Sequence, residues 1–345
     1  MRLGLALANE GPLRETVALA RRAEELGLAE VWVPESSHGR SVTSVVATLA
    51  ANTGQIGLGV GVVNPFWRHP SLIAMEAATL DEASDGRLRG IGLGAALWTL
   101  EALGEADPRT RRPLAAMTEA LGIVRAMLRE QPGPTPEIFA ARADAALSFT
   151  PLRPEVPIYV GAVNQRMLQA TGALADGAYL GAITSPGYTR WAAEQVRWGA
   201  ARAGRQDRVD LIANVLTSVS PDPRAARAAT RPVLAYYLWR VDGVVIEHSG
   251  ADPQAVDEVR RTVAARGVQA GAARVSDHLV DVFAAAGDPD QVAERLRAYA
   301  RAGLDGALAW HVLGPDPTEG LRLLAAKVWP QVPDHREQGD QRWYG

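Results

Sequence analysis

The 345-residue sequence contains no cysteine. That removes disulfides, thiolate metal ligands and cysteine nucleophiles together, and leaves the redox compartment undetermined. Lysine is nearly absent as well: of the 36 Lys and Arg residues, only Lys327 is a lysine. It lies in the last predicted helix, "EGLRLLAAKVWP", so Schiff-base chemistry, and with it a lysine-dependent aldolase or pyridoxal enzyme, is disfavoured. There is no basic excess. A net charge of −3 and a pI near 6.1 give no positive face for a phosphate backbone, and nucleic acid is not an expected partner. No apolar run reaches membrane-spanning length, and the opening "MRLGLALANEGPL" is interrupted too early by Asn9-Glu10 to act as a signal peptide. These absences predict a cytoplasmic protein with no membrane partner.

What is present is core material: with 47% hydrophobic and 22% charged residues, the chain can bury a large interior. Short apolar runs alternate with longer stretches of helical period. Eight runs read as strands: 2–8, 30–35, 56–63, 87–94, 157–161, 176–182, 210–219 and 305–312. Their continuous rather than alternating apolarity points to strands buried on both faces of a parallel sheet. Helix boundaries carry their own signals. Pro70 suits a first helical position, Ile73, Ala77 and Leu80 share one face, and Ser84-Asp85-Gly86 stops the turn; Asp288, Pro289, Gln291 and Gly303 bracket another helix with a capping box.

Eight βα units without a dividing linker predict an α/β fold, a single (β/α)8 TIM barrel over residues 1–330. Two intervals exceed simple connections and are read as lids or binding loops. Residues 131–156 hold Pro-Gly turns with room for a short hairpin, and 221–286 forms a helical insertion between the seventh and eighth strands. The tail, 331–345, lacks apolar periodicity and is expected to fray.

In such a barrel the reactive groups collect at the strand ends, because the interior is packed with side chains. The ends here offer Asn9-Glu10, Glu35 to His38, Asn64, Gly94 to Ala96, Gly161 to Gln165, Ile183 to Ser185, Ser218 to Ser220 and His311. No His-x-His pair leaves the first strand and no H-E-x-x-H occurs, which argues against a metal-dependent hydrolase, and no metal site is expected. A glycosidase needs two facing carboxylates, and the ends of the fourth, sixth and eighth strands carry none. Acid–base work is left to Glu35 and His38. His38 lies three residues past a strand end, beside a carboxylate that would orient it or shift its pKa. His69 either caps the helix at Pro70 or meets a ligand; His311 either packs at its strand end or faces the mouth.

"GLGVG" (57–61) and "GIGLG" (90–94) lie within strands and lack the G-x-G-x-x-G spacing of a dinucleotide fingerprint. Glycines there imply close approach, and two neighbouring strands losing side chains at the rim would leave a flat slot suited to a planar ring. After the fifth run the chain turns through Ala162 to Asn164 into a helix. Its free N–H groups suit a phosphate, or Asn164 is simply an N-cap.

"GLGVGVVNPFWRHPSLIAMEAATLDEASDGRLRGIGLG", "PIYVGAVNQRMLQATGALADGAYL", "VLTSVSPD" and "DPDQVAERLRAYARAGLDGALAW" together resemble the bacterial luciferase-like superfamily of flavin- and deazaflavin-dependent oxidoreductases, most closely the branch similar to methylenetetrahydromethanopterin reductase. The resemblance implies a non-prolyl cis peptide at Gly61-Val62 in a bulge backing the cofactor ring, with Asn64 at the ring's polar edge and Gly94 on the neighbouring strand. It implies cofactor phosphate binding by Gly161, Ala162, Val163, Asn164 and Gln165 and by Gly181 and Ala182. It further implies a homodimer acting on a small-molecule substrate. The cofactor would be coenzyme F-420, an 8-hydroxy-5-deazaflavin that moves hydride, with FMN-dependent monooxygenation the alternative and a non-catalytic flavin-binding protein a second one. The relatives place a polar or acidic residue after the fourth-strand glycines, where this chain has Ala95-Ala96-Leu97-Trp98.

Overall fold

The computed structural model describes residues 1–332 apart from Leu103, Ala106 and Ala182. In chain order the strands are β1 (Arg2–Ala6), β2 (Glu30–Val33), β3 (Gly57–Val63), β4 (Leu88–Leu93), β5 (Ile158–Gly161), β6 (Gly177–Leu180), β7 (Asp210–Val219), β8 (Ala284–Gly287) and β9 (Gly306–Leu313). β1 to β7 pair in parallel, each with the next, and β9 joins β7 to β1, which closes an eight-stranded barrel. Helices pack outside it: α1 (Leu13–Glu25), α2 (Val42–Asn52), α3 (Pro70–Ala83), α4 (Leu97–Ala102), α5 (Pro113–Leu128), α6 (Gln165–Leu174) and α7 (Pro186–Arg202). The predicted (β/α)8 barrel is therefore the fold.

β8 was not expected. Between β7 and β9 lie α8 (Pro223–Arg240), α9 (Gly243–Glu247), α10 (Pro253–Arg266), α11 (Val268–Ala272) and α12 (Asp277–Phe283), as the predicted insertion requires, but its last residues run into a strand rather than a helix. β6 ends at Leu180 opposite Ala213, so the upper edge of the longer β7 is unpaired by the barrel, and Ala284–Gly287 pairs with Leu216–Val219 there. "AAAG" has little strand propensity; the open edge makes the strand. After it come α13 (Pro289–Arg301) and α14 (Pro317–Leu323).

Helix ends follow their sequence signals. His69 caps α3, its Nδ1 accepting from Ser71 N–H at 3.2 Å, and Asp85 and Gly86 then turn the chain with positive φ. Asp288 and Gln291 form a reciprocal capping box at α13. The segment 131–156 contains no strand, so no hairpin forms. Instead, the Glu119 carboxylate gathers the N–H groups of Glu137, Ile138 and Phe139 at 2.8–3.1 Å; burial opposes its charge, but these donors hold its pKa below the ordinary value. At the tail, Gln331 still bonds Asp290 and Val332 is buried, so packing persists two residues beyond the predicted limit; residues 333–345 lie outside the described ones.

The barrel interior is filled by rings. Trp32 packs edge-on against Tyr159, centroids 5.0 Å apart, and against Tyr179 at 5.5 Å. Each buried ring contributes roughly 4–6 kcal/mol by area, an upper value. The strand glycines make room for them: a methyl at Gly59 would lie 2.2 Å from Trp32, at Gly90 2.6 Å from Tyr159, and at Gly61 2.5 Å from Tyr179. The deeper glycines thus admit the protein's own aromatics. Below the rings, Arg2 bonds Glu30 and Asp210, Trp32 bonds Glu30, and Tyr159 donates to Asp210 at 2.6 Å, so the floor is a closed ionic network. The open end is the other one.

Candidate active site at the barrel mouth

At the C-terminal end of β3 the Gly61-Val62 peptide is cis, and the register with β4 shifts between Val60 and Val63. This is the bulge that the resemblance implied. The half-buried Val62 side chain settles into a trough that three glycines leave open: methyl groups at Gly92, Gly94 and Gly161 would lie 2.8, 2.4 and 3.3 Å from it. The rim glycines, unlike the deeper ones, therefore shape the mouth. Asn64 is buried, with Nδ2 donating to Ala95 O at 2.8 Å and to Thr99 Oγ1, and Oδ1 accepting from Phe66 N–H. Its amide staples two rim loops and is spent within the chain.

Glu35, just past β2, meets Arg68 rather than His38. Arg68 Nη2 donates to Glu35 Oε1 at 2.7 Å and Nη1 to Glu76 Oε1 at 2.5 Å, so one guanidinium joins carboxylates from two elements. Burial opposes the Arg68 charge, yet the two carboxylates raise its pKa; burial raises that of Glu76, with Arg68 offsetting part. His38 occupies an exposed turn with φ of 60° and makes no hydrogen bond among the described residues.

Among the described residues, eleven buried side-chain polar atoms lack a hydrogen bond, and eight belong to Asn9, Glu35, Ser36, Ser37, Trp67, Arg68, His69 and Glu76. Unsatisfied buried groups are costly, and here they concentrate at the ends of the first three strands. A cavity of about 420 Å³ opens there, lined by Asn9, Glu10 and the turn from Ser36 to Arg40.

The fifth loop lies across the mouth. Asn164 caps α6, its side chain accepting from Met167 N–H at 3.2 Å, and Tyr188 Oη pins Val163 O at 2.7 Å. Gly161 and Val163 are half-buried, Ala162 is buried, and Asn164 and Gln165 are exposed at the positive end of the helix. A side chain at Gly181 would meet nothing within 4 Å, so the adjacent space is open; Ala182 lies outside the described residues. On the opposite wall His311 has φ of 66°, rests 3.9 Å from the Trp310 ring and bonds Tyr237 Oη at 3.2 Å. Desolvation by these neighbours lowers the His311 pKa, with Glu10 opposing, and raises that of Tyr237.

The family model for luciferase-like monooxygenases matches residues 1–306 of this barrel. The chain belongs to that family. A 5,10-methylenetetrahydromethanopterin reductase of Archaeoglobus fulgidus is 32% identical over 339 residues, covering 96% of this chain and all of the relative. The F-420-dependent glucose-6-phosphate dehydrogenase of Kribbella flavida is 28% identical over 346 residues, covering 96% and 98%. The solved structure of the coenzyme F-420-dependent tetrahydromethanopterin reductase of Methanopyrus kandleri matches with a TM-score of 0.88 at 25% identity, over 96% of this chain and 99% of that one. The protein is thus a luciferase-like oxidoreductase whose homologues use F-420, in a family that also includes FMN users.

Three side chains of this luciferase-like mouth escaped the sequence reading. Arg68 was visible only as the start of "RHP"; Glu76 sits six residues after Pro70 on a helix read for its apolar face; Tyr237 comes from the insertion, which has no motif. No helix among the described residues is long and apolar enough to cross a membrane.

Proposed function

We propose that this protein transfers hydride between coenzyme F-420 and a small organic substrate, reducing a C=C or C=N bond or running the reverse reaction. The observation that carries the reading is Val62, raised on the bulged third strand into a trough of three glycines beside a belt of unpartnered polar atoms. That is a cradle of the shape and chemistry a planar polar ring requires. The near full-length similarity to F-420-dependent reductases supports deazaflavin over FMN. When bound, the deazaflavin supplies a carbon that donates or accepts hydride and reacts poorly with oxygen.

The chain's own residues would supply the rest. Val62 would back the ring, and Gly161 to Gln165 with Gly181 would hold the anionic tail at the N-terminus of α6. Phe66 and Trp67, on the loop that Asn64 staples, would keep water from the ring. Glu35 or His38 would hold the proton that accompanies hydride. Glu35 is fixed by Arg68 and His38 is open to solvent, so the first suits a positioned acid–base group and the second exchange with bulk water. On the resemblance, the protein would act as a homodimer.

Titration of the purified protein with F-420 and with FMN tests the proposal. Tight binding of F-420 is expected. Tight binding of FMN alone, with oxygen consumed when reduced FMN is supplied, would replace it by monooxygenation.

A further inference from the structure

The helical insertion and the fifth loop, far apart in sequence, meet through the first turn of α7. Ser185 is fully buried and caps that turn: its Oγ accepts from Tyr188 N–H at 3.1 Å and donates to Ser249 O of the insertion at 3.2 Å. Two residues on, only glycine fits, because a methyl at Gly187 would lie 2.6 Å from His248 O and 3.1 Å from Ser249 O. The insertion is therefore seated backbone to backbone on the helix. A ring contact continues the join: His248 stacks on Trp191, centroids 4.2 Å apart and planes 13° from parallel. Trp191 follows Tyr188 by three residues on one helix face, and their rings lie 5.7 Å apart. Tyr188 is buried and spends its hydroxyl on Val163 O at 2.7 Å, in the middle of the fifth loop.

That last bond fixes a direction as well as a distance. A trans peptide is planar with its N–H opposite its C=O, so pinning Val163 O turns the Asn164 N–H away from Tyr188. This N–H donates to nothing among the described residues and stands at the entry to α6. Thr184, just before α7, is already fixed to the barrel: its Oγ1 donates to Asn214 O at 3.1 Å and its carbonyl accepts from Tyr299 Oη at 2.8 Å. The root of α7 is thus held without the insertion, and what the insertion adds is the His248 plane behind Trp191 and Tyr188. We propose that Tyr188 is a positioning residue for the cofactor's anionic tail, and that the insertion controls it through His248 and Trp191. The proposal rests on the oxidoreductase reading in taking residues 161–165 as the loop that holds the tail; the coupling between insertion and loop needs no cofactor.

Two measurements test it. Amide hydrogen exchange on the ligand-free, full-length protein reads the loop. In Tyr188→Phe and in His248→Ala the peptide spanning 162–168 should exchange about three- to tenfold faster, as loss of one hydrogen bond or one ring stack permits, with the rest of the barrel unchanged. His248→Phe keeps a ring on Trp191 and should exchange like the unsubstituted protein. Fluorescence titration reads the tail: Tyr188→Phe and His248→Ala should weaken F-420 about three- to tenfold and leave its phosphate-free ribityl chromophore unaffected, whereas a general defect weakens both alike. Unchanged loop exchange in either variant, or equal weakening of F-420 and the chromophore, overturns the proposal. A protein that rejects F-420 refutes the proposed function alone: loop exchange still decides the coupling, and FMN against riboflavin then reads the tail.

Discussion

Arg68 donates through Nη2 to Glu35 at 2.7 Å, and its other arm reaches Glu76, so the carboxylate proposed for proton handling is held by a side chain it shares with a second acid. All three groups are largely buried. Removing the guanidinium leaves two carboxylates without compensation, whereas lysine restores charge but not the two-armed geometry. Arg68→Met should lower the unfolding free energy by about 2–4 kcal/mol and Arg68→Lys by less. Urea denaturation near neutral pH checks this; an unchanged midpoint for Arg68→Met would show the cluster to be inert.

Glu76 adds a pH dependence of known sign. Burial holds its carboxyl above the ordinary pKa, Arg68 offsetting only part. The folded state therefore binds the proton more readily than the unfolded one, and the associated stability is fully present below the unfolded pKa and lost as pH rises through the folded one. From pH about 4 to about 7, stability relative to Glu76→Gln should fall. Paired urea midpoints across that range measure it, and a difference that grows with pH would reverse the assignment.

Much of this was legible in the sequence because barrel physics writes it locally. Continuous apolar runs marked β1 to β7 and β9, and cap residues such as Asp288 and Gln291 marked helix ends within a turn of the chain. β8 was illegible: its alanines are strand-forming only because β6 stops short and leaves an edge of β7 open. The glycine clusters were legible as close approach but not in what approaches. Gly59 faces Trp32 while Gly94 faces Val62, and only the barrel's depth separates the two roles. The pairing of Glu35 with Arg68 instead of His38 spans 33 residues and two elements, so spacing along the chain carries no trace of it.

The depth distinction predicts opposite outcomes for one kind of substitution. A methyl at Gly59 would press on the Trp32 ring from 2.2 Å, and Trp32 is fully buried between Tyr159 and Tyr179 with no room to retreat. Gly59→Ala should cost about 1–3 kcal/mol or more, the range for overpacked cores. Trp32→Phe, introduced with it, should recover part by shrinking the ring. Thermal unfolding of the two single variants and the double reads the coupling, and strictly additive losses would mean that the two residues do not press on each other.

At the rim the same change should spare the fold and damage the site. A methyl at Gly94 would lie 2.4 Å from Val62 Cγ2, but Val62 is half-buried and can tip towards the open mouth. The cost then falls on whatever rests against Val62, so Gly94→Ala should leave thermal stability within about 1 kcal/mol and weaken F-420 at least tenfold, as loss of a preorganised surface does. Val62→Ala removes the clash, and the double variant should bind F-420 more tightly than Gly94→Ala alone. That positive coupling distinguishes a cradle from a merely crowded loop. If Gly94→Ala binds F-420 like the unsubstituted protein, the ring rests elsewhere and the trough is only packing; if the double variant binds no better than Gly94→Ala, Val62 is not what the added methyl displaces.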